Sequence, residues 1–456
     1  MGDEWQGRNV LVLGLGETGL SCIRWLARHG ARLAAADTRA APPALGAVRR
    51  EQPQLRVSLG PFHEELLAGM DAVAASPGLA LREPVLRAAA ARGIEVVGDV
   101  EIFARALAGR PGIRVLGVTG TNGKSTVTAL AAAMGTAAGM DARAVGNIGV
   151  PVLDALAEAE AGAWPDLYVV ELSSYQLETT KSLALDAATM LNVTQDHLDR
   201  HGTIGEYARA KERIFMHCRR RVVNRDDAAS LAMKDAASWS FGLGVPRGDT
   251  EWGVDPERRM LRRGERDLLP VELMPMAGLH NVANGLAAHA LATAVGLAPE
   301  PLARALAGFR GLPHRVQPVA EARGVRFYDD SKGTNVGAAV AALAGFDVPV
   351  VLIAGGDGKG QDFAPLAPAV GAHARAVVLI GRDAEAIATA LAPTGVAIER
   401  AATMEAAVEA AYALAHDGDA VLLSPACASF DMFRNYGHRG DVFAAAARAV
   451  ALRSAD

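Results

Sequence analysis

Residues 118–126 read Val-Thr-Gly-Thr-Asn-Gly-Lys-Ser-Thr and end like a phosphate-binding loop. Gly120 and Gly123 free the backbone to curl its N–H groups around phosphate oxygens. Lys124 adds a point charge near the outer phosphates, and the hydroxyl of Ser125 or Thr126 can reach Mg²⁺. In the usual motif a further glycine would stand at position 118, where this chain has Val118, so Gly120 supplies the flexibility instead. The chemistry implied is binding of a nucleoside triphosphate and transfer of its terminal phosphate.

Other residue types sit where chemistry is possible. Gly14-Leu15-Gly16-Glu17-Thr18-Gly19 matches G-x-G-x-x-G, and Asp37 lies 21 residues beyond Gly16, near the position of a ribose-binding acid. Taken alone, this region supports an NAD-dependent oxidoreductase; any phosphate group at the helix N-terminus would be equally favoured. Glu171 ends the apolar run "DLYVVE", as a metal-holding carboxylate or as a strand-end acid facing water. His197, in "QDHLD", reads by itself as a satisfied polar histidine. Lys211, in "EYARAKERIF" at helical spacing, reads by itself as a surface lysine.

The elements that must position these groups alternate along the chain. Apolar runs such as "NVLVLG", "RLAAAD", "IRVLGVT", "AATMLNV", "VRFYDD", "PVVLIAGG", "AVVLIGR" and "AVLLSP" predict buried strands, and the stretches between them predict helices. This is the signature of α/β domains with mostly parallel sheets. The polar stretch 251–273 predicts hairpin material at a sheet edge, and "AGRPG" at 108–112 predicts a break. Three domains are expected, at residues 1–99, 100–311 and 312–456: a Rossmann-like domain, a central ATPase-type domain and a second Rossmann-like domain.

Composition bounds the function. Half of the 456 residues are hydrophobic and 21% are charged, which is ordinary for a soluble protein. The net charge of −5 argues against a broad nucleic-acid surface. No stretch approaches the roughly 18 apolar residues of a membrane span. The opening "MGDEWQGRNV" lacks an apolar signal core, and three scattered cysteines fit a reducing cytoplasm.

In order along the chain, "GLGETGLS", "DTR", "SPG", "GNIG", "ELSSYQLE", "LNVTQDHLD", "HNVAN", "GLPHR", "DDSKGTN", "GGDGK" and "SPACASFD" resemble the Mur ligase family over essentially the whole chain. The likeness is to the branch that joins D-glutamate to UDP-N-acetylmuramoyl-L-alanine at the expense of ATP. Val118 is then no defect, because the family's loop is Gly-Thr-Asn-Gly-Lys-Ser/Thr.

The resemblance implies roles residue by residue. Glu17, Thr18, Thr38, Arg39, Gly78 and Asn147 would line the UDP-sugar site. ATP would be held by Gly120, Thr121, Asn122, Gly123, Lys124, Ser125 and Thr126, with Asn281 and Asn284 on the adenine side and Arg315, Asp330 and Lys332 from the third domain. D-glutamate would meet Thr334, Lys359, Ser429, Phe430 and Tyr436. Two Mg²⁺ ions would be held by Ser125, Glu171, His197 and Lys211, the last as a carbamate derived from CO₂. Lys124, Lys211, His197 and Lys332 would carry catalysis, in a cytoplasmic monomer that forms an acyl phosphate, with no nucleic-acid partner and no membrane insertion. "DDSKG" stands where Asn-Asp-Ser-Lys-Ala is commoner, and Phe430 and Tyr436 where Leu and Phe are frequent, which leaves substrate preference open. The rival readings remain an oxidoreductase built on the first domain and a phosphate-loop switch built on the second.

Overall fold

The computed structural model describes residues 4–276 and 278–455. The outermost residues of the expected first and third domains, 1–3 and 456, lie outside it. Three sheets follow one another. The first comprises β1 (Asn9–Leu13), β2 (Arg32–Asp37), β3 (Arg56–Leu59), β4 (Ala72–Ala75) and β5 (Glu95–Val97), all parallel, in the order β3-β2-β1-β4-β5. The second holds β6 (Arg114–Thr119), β7 (Ala142–Gly146), β8 (Leu167–Glu171), β9 (Ala187–Met190), β10 (Arg221–Asn224), β11 (Trp239–Phe241), β12 (Glu251–Asp255), β13 (Met260–Arg263) and β14 (Arg266–Pro270). Its order is β14-β13-β12-β11-β10-β9-β6-β8-β7. The last three strands of the chain order, β12 to β14, form the expected antiparallel edge. The third sheet runs β15 (Gln317–Ala322), β16 (Val325–Asp329), β20 (Ala420–Leu423), β17 (Val350–Gly355), β18 (Ala374–Ile380), β19 (Ala397–Arg400), with only β15 antiparallel.

The central strands are apolar along their whole length because helices cover both faces; β6 residues Leu116 and Val118 and β17 residues 350–355 are fully buried. Parallel strands all end on one side, so the loops after β6, β7, β8 and β9 gather at one edge of the second sheet.

The two junctions differ in kind. One continuous apolar cluster runs from Ile23, Trp25 and Leu26 of the first domain into Val152, Leu156 and Leu177 of the second. The third domain has its own cores and meets the second through polar groups. A polar junction reorients more readily than a shared hydrophobic core.

In the N-terminal loop the glycines are not equivalent. A Cβ on Gly19 would lie 1.9 Å from the carbonyl oxygen of Gly14, whereas one on Gly16 would meet nothing within 4 Å. Gly19 thus sets the close approach of the Glu17–Arg28 helix to β1. Gly19→Ala is expected to lower the unfolding midpoint markedly, on the scale of about 1–3 kcal/mol for forced overpacking. Gly16→Ala should leave it nearly unchanged. Paired urea titrations of the two variants check this; equal midpoints would contradict it.

Candidate active site

The loop after β6 is built by its neighbours. Gly123, at φ 84°, leads into the Lys124–Ala137 helix, and a Cβ there would strike the Asn284 side chain at 2.5 Å. The segment after β9 clamps the loop: Thr121 N–H donates to the Asn192 carbonyl at 2.9 Å, Asn122 N–H to Asn192 Oδ1 at 2.8 Å, and Thr194 N–H to Thr121 Oγ1 at 3.0 Å. That clamp gives the polar residues of "LNVT" a structural task.

Two lysines converge on the loop. Lys124 Nζ donates to the carbonyls of Gly120 at 2.9 Å and Thr121 at 2.7 Å. Lys211, on the Ile204–Glu212 helix, donates from Nζ to the same Gly120 oxygen at 2.8 Å. Lys211 is 1% exposed, so the surface reading of its helical spacing is overturned: its face of the helix turns inward to the loop. Burial holds its pKa well below the ordinary lysine value, and the neighbouring Lys124 charge lowers it further. Burial lowers that of Lys124 too, against the opposing pull of Glu171.

Glu171 ends β8 in full burial, not as a strand-end acid facing water. Its Oε1 accepts from Asn147 Nδ2 at 2.8 Å, while the buried Oε2 has no hydrogen-bond partner. An orphaned carboxylate oxygen beside a phosphate loop is a hard donor suited to Mg²⁺. Among the described residues no group of three or more His, Cys, Asp or Glu could hold a metal ion. A cation here would therefore need oxygens from elsewhere. Ser125 Oγ is one such oxygen and now accepts from Arg315 Nη2 at 2.7 Å. His197, at φ 54°, contacts the Tyr175 hydroxyl through Nδ1 at 2.8 Å, and its Nε2 lies 3.6 Å from Asp196 Oδ2. Burial lowers its pKa.

These groups face a cavity of about 630 Å³ lined by all three domains. Glu17 comes from the first, Asn147, Glu171, His197 and Lys211 from the second, and Lys332, Thr334 and Tyr436 from the third. Lys332 Nζ stands 3.8 Å from the Tyr436 ring centroid, and burial pushes its pKa down to about 8. A second chamber of about 320 Å³ adjoins it, with Asn281, Asn284, Thr126, Arg315 and Asp330 on its walls and Leu191 and Phe241 supplying apolar surface. Burial raises Asp330 to about 7, although Ser424 Oγ donates to it at 2.7 Å.

Other expected residues lie apart. Thr18, Thr38, Arg39 and Gly78 flank the first domain's glycine loop and strand ends outside these two chambers. Lys359 and Phe430 are exposed and Ser429 is buried, and none of the three lines either chamber. Their loops are joined by a backbone bridge between Asp357 and Ala428. Several residues without an expected role do line the large cavity: Asp196, Tyr175, Tyr207, His314 and Asn335. Asp196 and His314 sit inside motifs already visible, but Tyr207 is betrayed only by standing one turn before Lys211 on the same helix.

Asp37 is not available to a ribose. Its Oδ2 accepts from Leu15 N–H and from Arg39 Nη2, both at 2.6 Å, and its Oδ1 from Arg39 N–H and Nε. The Arg39 guanidinium first, then those backbone donors, hold its pKa at about 2. The carboxylate braces the glycine loop, which removes the acid that an NAD reading needs.

Known proteins resemble this chain in sequence and in fold. Residues 8–98 match the Mur ligase MurD-like N-terminal domain, 118–292 the Mur ligase middle domain and 314–427 the Mur ligase glutamate ligase domain. The UDP-N-acetylmuramoylalanine–D-glutamate ligase of Nitrosomonas europaea is 52% identical over 98% of this chain and 97% of its own. That of Methylobacillus flagellatus is 54% identical over 96% of each. In fold, the chain is similar to the UDP-N-acetylmuramate–alanine ligase of Thermotoga maritima, with TM-score 0.60, 18% identity and coverage of 97% and 99%. It is likewise similar to MurF of Acinetobacter baumannii, with TM-score 0.60, 17% identity and coverage of 98% and 92%. With a phosphate loop, three α/β domains around one cleft and relatives more than half identical over nearly full length, the chain belongs to the Mur ligase family.

Proposed function

We propose that this chain joins D-glutamate to UDP-N-acetylmuramoyl-L-alanine, with ATP converted to ADP and phosphate, in the synthesis of peptidoglycan precursors. The observation that carries this is one cleft in which a phosphate loop, an orphaned carboxylate and third-domain cations meet. ATP would lie with its base in the smaller chamber against Asn281 and Asn284 and its phosphates on residues 120–126. The alanine carboxylate of the nucleotide sugar would approach the terminal phosphate past Asn147. Two like-charged groups must come together, so Lys124, Lys332 and Arg315 offset their repulsion. Bound Mg²⁺, held by Glu171, Ser125, His197 and a Lys211 carbamate, would supply further charge neutralisation at the phosphates. The product of that step is an acyl phosphate, which the amine of D-glutamate attacks.

The carbamate reading rests on burial. A lysine amine whose ammonium form is disfavoured keeps the lone pair that CO₂ requires, and Lys211 is such an amine. The resulting anion would give the metal site an oxygen donor that the unmodified side chains lack. The glutamate pocket would be formed by Thr334 and Tyr436 in the cleft, with Lys359, Ser429 and Phe430 on the adjoining loops. The UDP end would extend along Glu17, Thr18, Thr38, Arg39 and Gly78. Three free cysteines fit a reducing, cytoplasmic setting. Among the described residues no helix is long and apolar enough to cross a membrane.

The test is release of phosphate from ATP by the purified protein. It should require the nucleotide sugar and D-glutamate together; release with neither, or with either one alone at the full rate, would contradict the assignment.

Two substitutions sharpen it. Lys124→Ala should cost at least about 100-fold in turnover, the scale of one lost charge contact to a transition state. Its unfolding midpoint should hardly move, because this side chain packs little apolar surface. Lys211→Ala should be nearly inactive and should recover part of its turnover when short carboxylates are added, since they can occupy the vacated anionic position. Full activity without additive would return Lys211 to a structural role.

A further inference from the structure

Between the second and third domains, "GLPHR" contributes a histidine whose geometry differs from that of a packed loop residue. His314 has φ 60° and lines the large cavity beside Lys332 and Tyr436. Its Nδ1 lies 2.7 Å from Asp329 Oδ2. Asp329 is 1% exposed at the end of β16, and its other oxygen accepts from Ser331 N–H at 2.9 Å. A carboxylate can only accept, so the proton resides on Nδ1 and the lone pair on Nε2. Among the described residues that nitrogen makes no hydrogen bond; the exposed Asp441 carboxylate lies 4.0 Å from it.

The pair is also sealed. A Cβ on Gly440 would lie 2.3 Å from His314 Nδ1 and 2.6 Å from Asp329 Oδ2. The Tyr436–Ala455 helix therefore packs its bare backbone straight onto the hydrogen bond and keeps water from it. The Tyr436 ring stands edge-on to the imidazole with centroids 6.1 Å apart. The titratable or charged groups around the ring are Asp329 from β16, Lys332 from the loop after it, neighbouring Arg315, and Tyr436 and Asp441 from the helix. This is the arrangement of a base that takes up a proton and gives it away again.

We propose that His314, oriented by Asp329, is the base that removes the proton from the amine of the incoming amino acid. The proposal rests on the ligase reading above and adds a residue to it. The amino acid arrives as an ammonium ion and cannot attack in that state. One of its protons passes to Nε2 and leaves the electron pair on nitrogen. That pair forms the C–N bond to the acyl carbon, and the C–O bond to phosphate breaks with its electrons going to phosphate. The excess proton on the new nitrogen leaves on the inorganic phosphate. The products are amide, hydrogen phosphate and imidazolium, so atoms and charge balance.

Hydroxylamine separates this step from the one before it, because it is an amine already uncharged at neutral pH and traps an acyl phosphate as the hydroxamate. In His314→Gln, hydroxamate formation from ATP and the nucleotide sugar should stay near the wild-type rate, which also reports a folded nucleotide site. Amide formation with D-glutamate at neutral pH should fall about 100-fold or more, the usual contribution of a positioned base. The deficit should shrink as pH rises, because the free amine then needs no base. Asp329→Asn, which releases the tautomer, should show the same pattern. Unchanged amide formation, a deficit that ignores pH, or joint loss of hydroxamate and amide would each overturn the assignment. A wild-type enzyme that yields no hydroxamate would instead remove the ligase reading on which the proposal stands.

Discussion

A single carbonyl oxygen, that of Gly120, accepts hydrogen bonds from two lysine side chains, Lys124 at the start of the following helix and Lys211 on the Ile204–Glu212 helix. Two ammonium ions on one oxygen, both out of water, repel strongly. Of the two, Lys211 is the more deeply buried, and burial together with the Lys124 charge disfavours its ammonium form. Lys124 is poised at the helix N-terminus, where phosphate oxygens would replace the two carbonyls it now holds. Lys211 is buried with its Nζ 4.4 Å from the Tyr207 ring centroid, where charge is disfavoured.

The same loop sets the relation between domains. Its Asn122 side chain exchanges two hydrogen bonds with that of Asn335, which also reaches Asp196, and Ser125 takes a bond from Arg315. The third domain is thereby fastened to the atoms that would hold ATP rather than to an apolar surface. Nucleotide and metal must replace some of these bonds, so ligand binding and domain position are linked through the same few groups. The first two domains share an apolar core and have no comparable freedom. Asn147, which lines the same cavity, holds Glu171 through a hydrogen bond from its Nδ2.

Much of this was legible from local pattern. The phosphate loop, the apolar strands that end at Glu171 and after Met190, and the polar hairpin of β12 to β14 depend on neighbours within a few residues. What escaped was decided over longer distances. Helical spacing placed Lys211 on a helix but could not tell that its face meets a loop 91 residues earlier. Asp37 looked like a ligand for ribose, because position alone does not reveal that Leu15 and Arg39 already occupy its oxygens. The pairing of His314 with Asp329 spans a strand connection and a covering helix. The family likeness supplied a role for Tyr436 at glutamate, yet its ring also carries Lys332, a contact that no spacing rule contains.

The part of the proposal that depends most on this loop geometry is that CO₂ converts the buried Lys211 amine to an anion. Carbon-13 NMR of the protein equilibrated with ¹³C-labelled bicarbonate tests it most directly. The account predicts one protein-bound carbamate carbonyl resonance that Lys211→Arg abolishes and Lys124→Arg retains. No such resonance in the wild type, or one that survives Lys211→Arg, would contradict it.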